Sequence, residues 1–134
     1  MNISSYEDLL KAAKQQPEPQ RLLFVFTQPE LPEGYTQVQI DRFHAGQGGV
    51  LTPKMCTDKA LDELGAFSDL VKESLQTGQD WKIVFVAGLA GRNGVMPSTE
   101  DAQEPLKKMV EAINNGAISN YLAYDRDGNQ IQFS

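Results

Sequence analysis

The chain has 134 residues, 12 Lys+Arg against 18 Asp+Glu, and a formal net charge of -6. With 40% hydrophobic and 22% charged residues it falls in the globular range, and its length suits one domain, residues 1–134. A single cysteine (Cys56) and a single histidine (His44) exclude an internal disulfide and a four-ligand zinc site, and the acidic balance argues against nonspecific nucleic-acid binding.

The opening residues Met1–Asp8 lack the basic and apolar regions of a signal peptide, and Gln130–Ser134 matches no lipidation signal. The longest apolar runs, Leu22–Phe26 and Ile83–Ala87, fall well short of the roughly 20 residues that span a bilayer. The expectation is a cytoplasmic protein with no membrane attachment, and the unpaired cysteine agrees with a reducing compartment.

Ser4 and Glu7 have capping-box spacing, and Tyr6, Leu9, Leu10 and Ala13 form an apolar stripe, so a helix is expected over 4–15, stopped by Pro17 and Pro19. Arg21–Thr27 carries five consecutive apolar residues, the pattern of a strand covered on both faces. A loop over 28–34 leads to an ambiguous stretch. Thr36, Val38 and Ile40 alternate like a strand, whereas Ile40, Phe43 and His44 suit a short helix. The glycines at 46, 48 and 49 resemble a terminator and favour the helix.

Val50–Asp58 reads as a strand whose Pro53 places it at a sheet edge or gives it a bulge. Leu61, Leu64, Phe67, Ser68, Val71 and Leu75 keep helical spacing up to Gly78, with Thr57 or Asp58 as the expected cap. Trp81–Ala87 forms a second doubly covered strand, followed by a long loop, Gly88–Ser98. A last helix is expected over 99–115, with Leu106, Met109, Val110 and Ile113 on its buried face. Asn120–Tyr124 and Asn129–Phe133 then flank a turn, which is the signature of a hairpin. Strands alternating with helices imply an α/β fold: a mixed, largely parallel sheet of about five strands, helices on both faces, and a C-terminal β-hairpin.

In a parallel sheet, ligands gather beyond the carboxyl ends of the strands. That rule brings together Thr27-Gln28, Cys56-Thr57-Asp58, the Gly88–Ser98 loop and Asp125-Arg126. In the loop, Gly88, Gly91 and Gly94 have neither the dinucleotide-binding nor the P-loop spacing, but Arg92 with nearby amides could hold an anion. The candidate ligand-binding residues are therefore Arg92, Gly91, Gly94, Cys56, Thr57 and Asp58. The plainer alternative is a glycine-rich connection with an exposed arginine.

Cys56 before a helix start could be a reactive thiolate, with His44 as its one imidazole partner, although a lone cysteine is more often a small buried hydrophobe. His44 and Arg42 also suit a helix C-terminus electrostatically. Asp125–Asn129 lacks the distal glutamate of a calcium loop, and the hairpin accounts for it. Neither a cofactor fingerprint, a metal cluster nor a complete catalytic set is evident.

Three segments, Pro19–Thr27, Gly48–Asp58 and Ile83–Arg92, resemble those of a group of small bacterial proteins often labelled "ribonucleotide reductase subunit alpha". A catalytic reductase subunit is several times longer and needs a radical-accepting cysteine plus a reducing pair. One cysteine cannot supply these, so the label reads as a misnomer and no catalytic residues carry over. The leading expectation is a non-enzymatic accessory protein that binds a basic protein partner. The alternative is a small enzyme or sensor holding an anionic small molecule at the loop, and a homodimer through a sheet edge is a third option.

Overall fold

A computed structural model describes residues 6–31, 36–44, 50–118 and 121–131. Within these, α1 (Tyr6–Lys14), β1 (Gln20–Glu30), α2 (Gln37–His44), β2 (Val50–Ala60), α3 (Phe67–Leu75), β3 (Ile83–Ala90), α4 (Thr99–Asn114), β4 (Leu122–Tyr124) and β5 (Gln130–Ile131) follow in order. A single 3-10 turn, Leu61–Glu63, precedes α3. The stretch that begins at Gln37 is helical, as its glycine terminator suggested. The capping box expected at Ser4 and Glu7 lies partly outside the described residues.

The five strands form one sheet in the order β2-β1-β3-β4-β5, and every adjacent pair is antiparallel. The expectation of a largely parallel sheet is therefore overturned. β2 and β3 do run the same way across the α3 crossover, but β1 lies between them and opposes both. A helix between two strands does not require them to be neighbours. The apolar run of a doubly covered strand also looks the same whichever way its neighbours point.

The alternation of β1 divides the core. Leu22, Phe24 and Phe26 face α1 and α3, packing with Tyr6, Leu70, Trp81 and Val84. Leu23 and Val25 face α4, packing with Phe85, Leu106, Met109 and Ile113. Both faces are thus covered, as the two apolar runs predicted, and Phe24, Val25, Val84 and Phe85 are fully buried.

Pro53 does lie in an edge strand. The register shifts between Phe26 and Thr27, so that Met55 pairs with Phe26 and Pro53 with Thr27, leaving Lys54 as the extra residue. The bulge accommodates the missing N–H of proline.

Candidate functional site

An antiparallel sheet has no common carboxyl edge. Because β1 opposes β2 and β3, its C-terminal Thr27 and Gln28 lie at one end of the sheet while Asp58 and Ala90 lie at the other. Tyr124, just before Asp125, pairs with Val84 near the Thr27 end. The four segments expected to converge are therefore split two and two.

The Gly88–Ser98 segment is less of a loop than its composition suggests. β3 continues to Ala90, and Arg92–Val95 closes a two-residue turn. The Arg92 N–H donates to the Val95 carbonyl at 3.2 Å, and the Val95 N–H returns to the Arg92 carbonyl at 2.9 Å. Asn93 (φ 54°) and Gly94 (φ 77°) are both left-handed, the requirement of a type I′ hairpin turn. The Asn-Gly dipeptide was the available signal. Reading the glycines as a spaced motif concealed it.

Gly91 is required for a different reason. A β-carbon there would sit 2.1 Å from the Val95 carbonyl oxygen, and the Gly91 N–H donates to the Pro19 carbonyl at 2.8 Å. The Gly94 N–H is also occupied, since it donates to a carboxylate oxygen of Glu18 at 3.0 Å. Two of the three glycines are thereby accounted for by the hairpin, and one amide that might cradle an anion already holds the chain's own carboxylate.

Arg92 is exposed and lines a cavity of about 390 Å³ with Gly91, Val95, Pro97 and Asp101. Asp101 belongs to the α4 cap. It accepts the Ser98 N–H at 3.0 Å while its own N–H donates to the Ser98 hydroxyl oxygen at 3.0 Å. Those bonds from Ser98 hold the Asp101 carboxyl below its ordinary range. The cavity thus carries a cation and an anion together.

Cys56 and Thr57 lie elsewhere. With Phe26, Met55, Leu70 and Ser74 they line a pocket of about 180 Å³ between β2 and α3. Cys56 is exposed, contrary to the usual burial of a lone cysteine, because its strand is the edge of the sheet. The side chain of His44 lies outside the described residues, so the Cys56–His44 pair has no geometry to report.

Asp58 turns to the α4 side and is engaged. Arg21 Nε donates to its carboxylate at 2.6 Å, and the Thr99 hydroxyl donates to the same oxygen at 2.9 Å. Arg21 also donates from Nη2 to the Thr99 hydroxyl oxygen at 2.7 Å and from Nη1 to the Pro97 carbonyl at 3.3 Å. Both side chains of the ion pair are nearly buried. This cluster ties β1, β2 and the start of α4 into one corner. Arg21 passed unremarked in the sequence, where it reads simply as the first residue of a strand.

Among the described residues, no group of three or more His, Cys, Asp or Glu could hold a metal ion, and no helix is long and apolar enough to cross a membrane. No family model, curated protein or solved structure matches the chain.

The remaining feature is the outer edge of β2. Among the described residues this strand pairs only with β1, so its other edge has no strand partner, and the Ala60 N–H at its end donates to the Glu63 carboxylate at 2.8 Å. Pro53, the bulge at Lys54, and the ion pairs Lys54–Glu30 and Lys59–Glu73 blunt its two ends. Between those ends, Met55–Asp58 carries neither proline nor bulge, its Asp58 being turned onto the α4 face by Arg21, and the pocket between β2 and α3 borders it directly.

Proposed function

We propose that this protein is a non-enzymatic cytoplasmic binding module that works through a protein partner, an extended segment of which adds to the open edge of β2. The observation that carries this reading is the coincidence of an unpaired strand edge at Met55–Asp58 with an adjoining pocket floored by Phe26 and Leu70. In strand addition, main-chain hydrogen bonds supply affinity, and a side-chain pocket beside the strand supplies selectivity. The net charge of -6 suits a basic partner. An accessory role beside a larger protein is also compatible with the reductase-labelled family that the sequence resembles.

The test compares three forms of the full chain as bait at low and moderate salt: the natural sequence, Thr77→Trp to fill the pocket that Thr77 also lines, and Lys107→Glu on the exposed side of α4. A partner retained in stoichiometric amount by the first and third, and lost by Thr77→Trp, is the expected result. It should also shield the Cys56 thiol from a maleimide. Retention by all three forms, or no stoichiometric partner at either salt, refutes the proposal.

A second reading is favoured by the cavity at Arg92, which could admit an anionic small molecule. Asp101 in the same cavity opposes it. A thermal-shift screen of nucleotides, sugar phosphates and organic acids decides the matter: a rise in melting temperature abolished by Arg92→Ala supports this reading, and no rise rejects it.

A further inference from the structure

The Arg92–Val95 turn is exposed throughout and has Asn93 and Gly94 at its centre. Asparagine followed by glycine is chemically labile, because the glycine nitrogen can attack the asparagine side-chain amide with no β-carbon in its way. In a left-handed turn, however, the Gly94 nitrogen points away from the Asn93 side chain, and ring closure needs rotation about the Asn93 Cα–C bond. That rotation breaks the bond from the Gly94 N–H to Glu18, 3.0 Å long, together with the two backbone bonds between Arg92 and Val95.

We propose that Asn93 is a deamidation site gated by Glu18. When the turn opens, the Gly94 nitrogen bonds to Asn93 Cγ and gives up its proton to solvent base. The Cγ–Nδ2 bond breaks, and the nitrogen leaves as ammonia with a proton from water. Water then attacks one carbonyl carbon of the cyclic imide, the bond from that carbon to the Gly94 nitrogen breaks and the nitrogen regains a proton, so the sum is one water consumed and one ammonia released. The product is aspartate or isoaspartate at position 93. Either places a new carboxylate beside Glu18, and isoaspartate adds a methylene to the backbone of a turn that closes on two residues. The cavity lined by Arg92 and Val95 is remodelled irreversibly.

A second Asn-Gly pair provides an internal clock. Asn115–Gly116 caps α4, and its Gly116 N–H donates to the Ile113 carbonyl at 3.0 Å, independently of Glu18. The full chain, Glu18→Ala and Glu18→Gln are aged in mildly alkaline buffer, and conversion at both asparagines is read by peptide mass spectrometry. Glu18→Ala should raise the Asn93-to-Asn115 conversion ratio about fivefold, the weight of one ordinary hydrogen bond at an exposed site, where solvent screens the carboxylate's charge. Glu18→Gln, whose amide oxygen still accepts, should stay near the natural chain. An unchanged ratio in Glu18→Ala overturns the gate. So does slower conversion in both variants, which would make Glu18 the base. Equal Asn93 rates in the folded and urea-unfolded natural chain also refute it.

Discussion

Replacing Arg21 with methionine tests whether the corner between β1, β2 and α4 is held by charge. The Arg21 and Asp58 side chains retain only 11% and 9% of their exposure, so solvent screens the pair weakly. After the change, the Asp58 carboxylate keeps one donor, the Thr99 hydroxyl, and the Pro97 carbonyl loses its partner. Removing one member of a buried ion pair costs about 3–5 kcal/mol, because the other charge is stranded. Against a total stability of about 5–15 kcal/mol that is a severe loss. With an unfolding entropy of about 2.1 cal/mol/K per residue, it lowers Tm by about 10–18 °C. Urea unfolding followed by fluorescence of Trp81, the single and fully buried tryptophan, measures it directly. The pair Arg21→Met with Asp58→Leu should recover most of the loss, since an apolar replacement of both partners leaves no orphaned charge. A loss below about 1 kcal/mol in the single variant, or a double variant no more stable than the single, would refute the reasoning.

Ser74→Ala should cost about 1–3 kcal/mol, because the Trp81 indole N–H, which donates to the Ser74 hydroxyl oxygen at 2.7 Å, is left without an acceptor in the core. Urea unfolding within error of the natural chain would show that another acceptor replaces it. Asp101 titrates below its ordinary value of 3.8 in the folded chain, so its stabilising effect is present above that value and is lost as pH falls through the folded pKa. Asp101→Asn should therefore have a shallower acid limb below about pH 4 in a stability-versus-pH profile, and superimposable limbs would exclude a role for the cap. Burial, reinforced by the nearby Asp8 charge, pushes the Tyr124 hydroxyl up to about 12. Burial, with Glu7 adding to it, pushes Tyr6 up as well. The unfolded chain releases these protons near 10.0, so stability is lost as pH rises above that value. Phenolate absorbance from both tyrosines should appear together with alkaline unfolding; their ionisation in a still-folded chain would contradict the burial argument.

The two central strands were legible because Leu22–Phe26 and Ile83–Val86 leave no polar position for a solvent-facing side. α4 was legible because Leu106, Met109 and Ile113 recur on one helix face. The helix expected from Leu61, capped by Thr57 or Asp58, starts later: both of those residues lie in β2, which runs on to Ala60, a 3-10 turn follows, and Ala66 is the N-cap of α3. Gly65 lies between that turn and α3, and Phe67 opens the regular helix. Gln28–Glu30 were expected as loop from their proline content, yet they extend β1, paired with Thr52, Leu51 and Val50 across the bulge.

The candidate ligand residues depend on strand direction, and strand direction is the quantity least legible in a sequence of this pattern. Burial on both faces erases the alternation that would distinguish one neighbour from another. The order β2-β1-β3 depends on contacts between segments far apart in the chain, as when Arg21 meets Asp58 thirty-seven residues away. Once that order places β2 outermost, Cys56 becomes exposed, Thr57 borders a pocket, and Asp58 serves a buried ion pair.

The residues alone determined that this chain makes a layered α/β domain with helices on both faces, an edge or bulge at Pro53, and a closing hairpin. Each of those follows from local periodicity, from proline's missing donor or from turn chemistry. Tertiary structure alone decided that the sheet is antiparallel, that Arg21 anchors a corner, and that β2 is an edge strand. The physical reason is common to all three: register and strand order are chosen by long-range packing and hydrogen bonding, and a local pattern is compatible with several such choices.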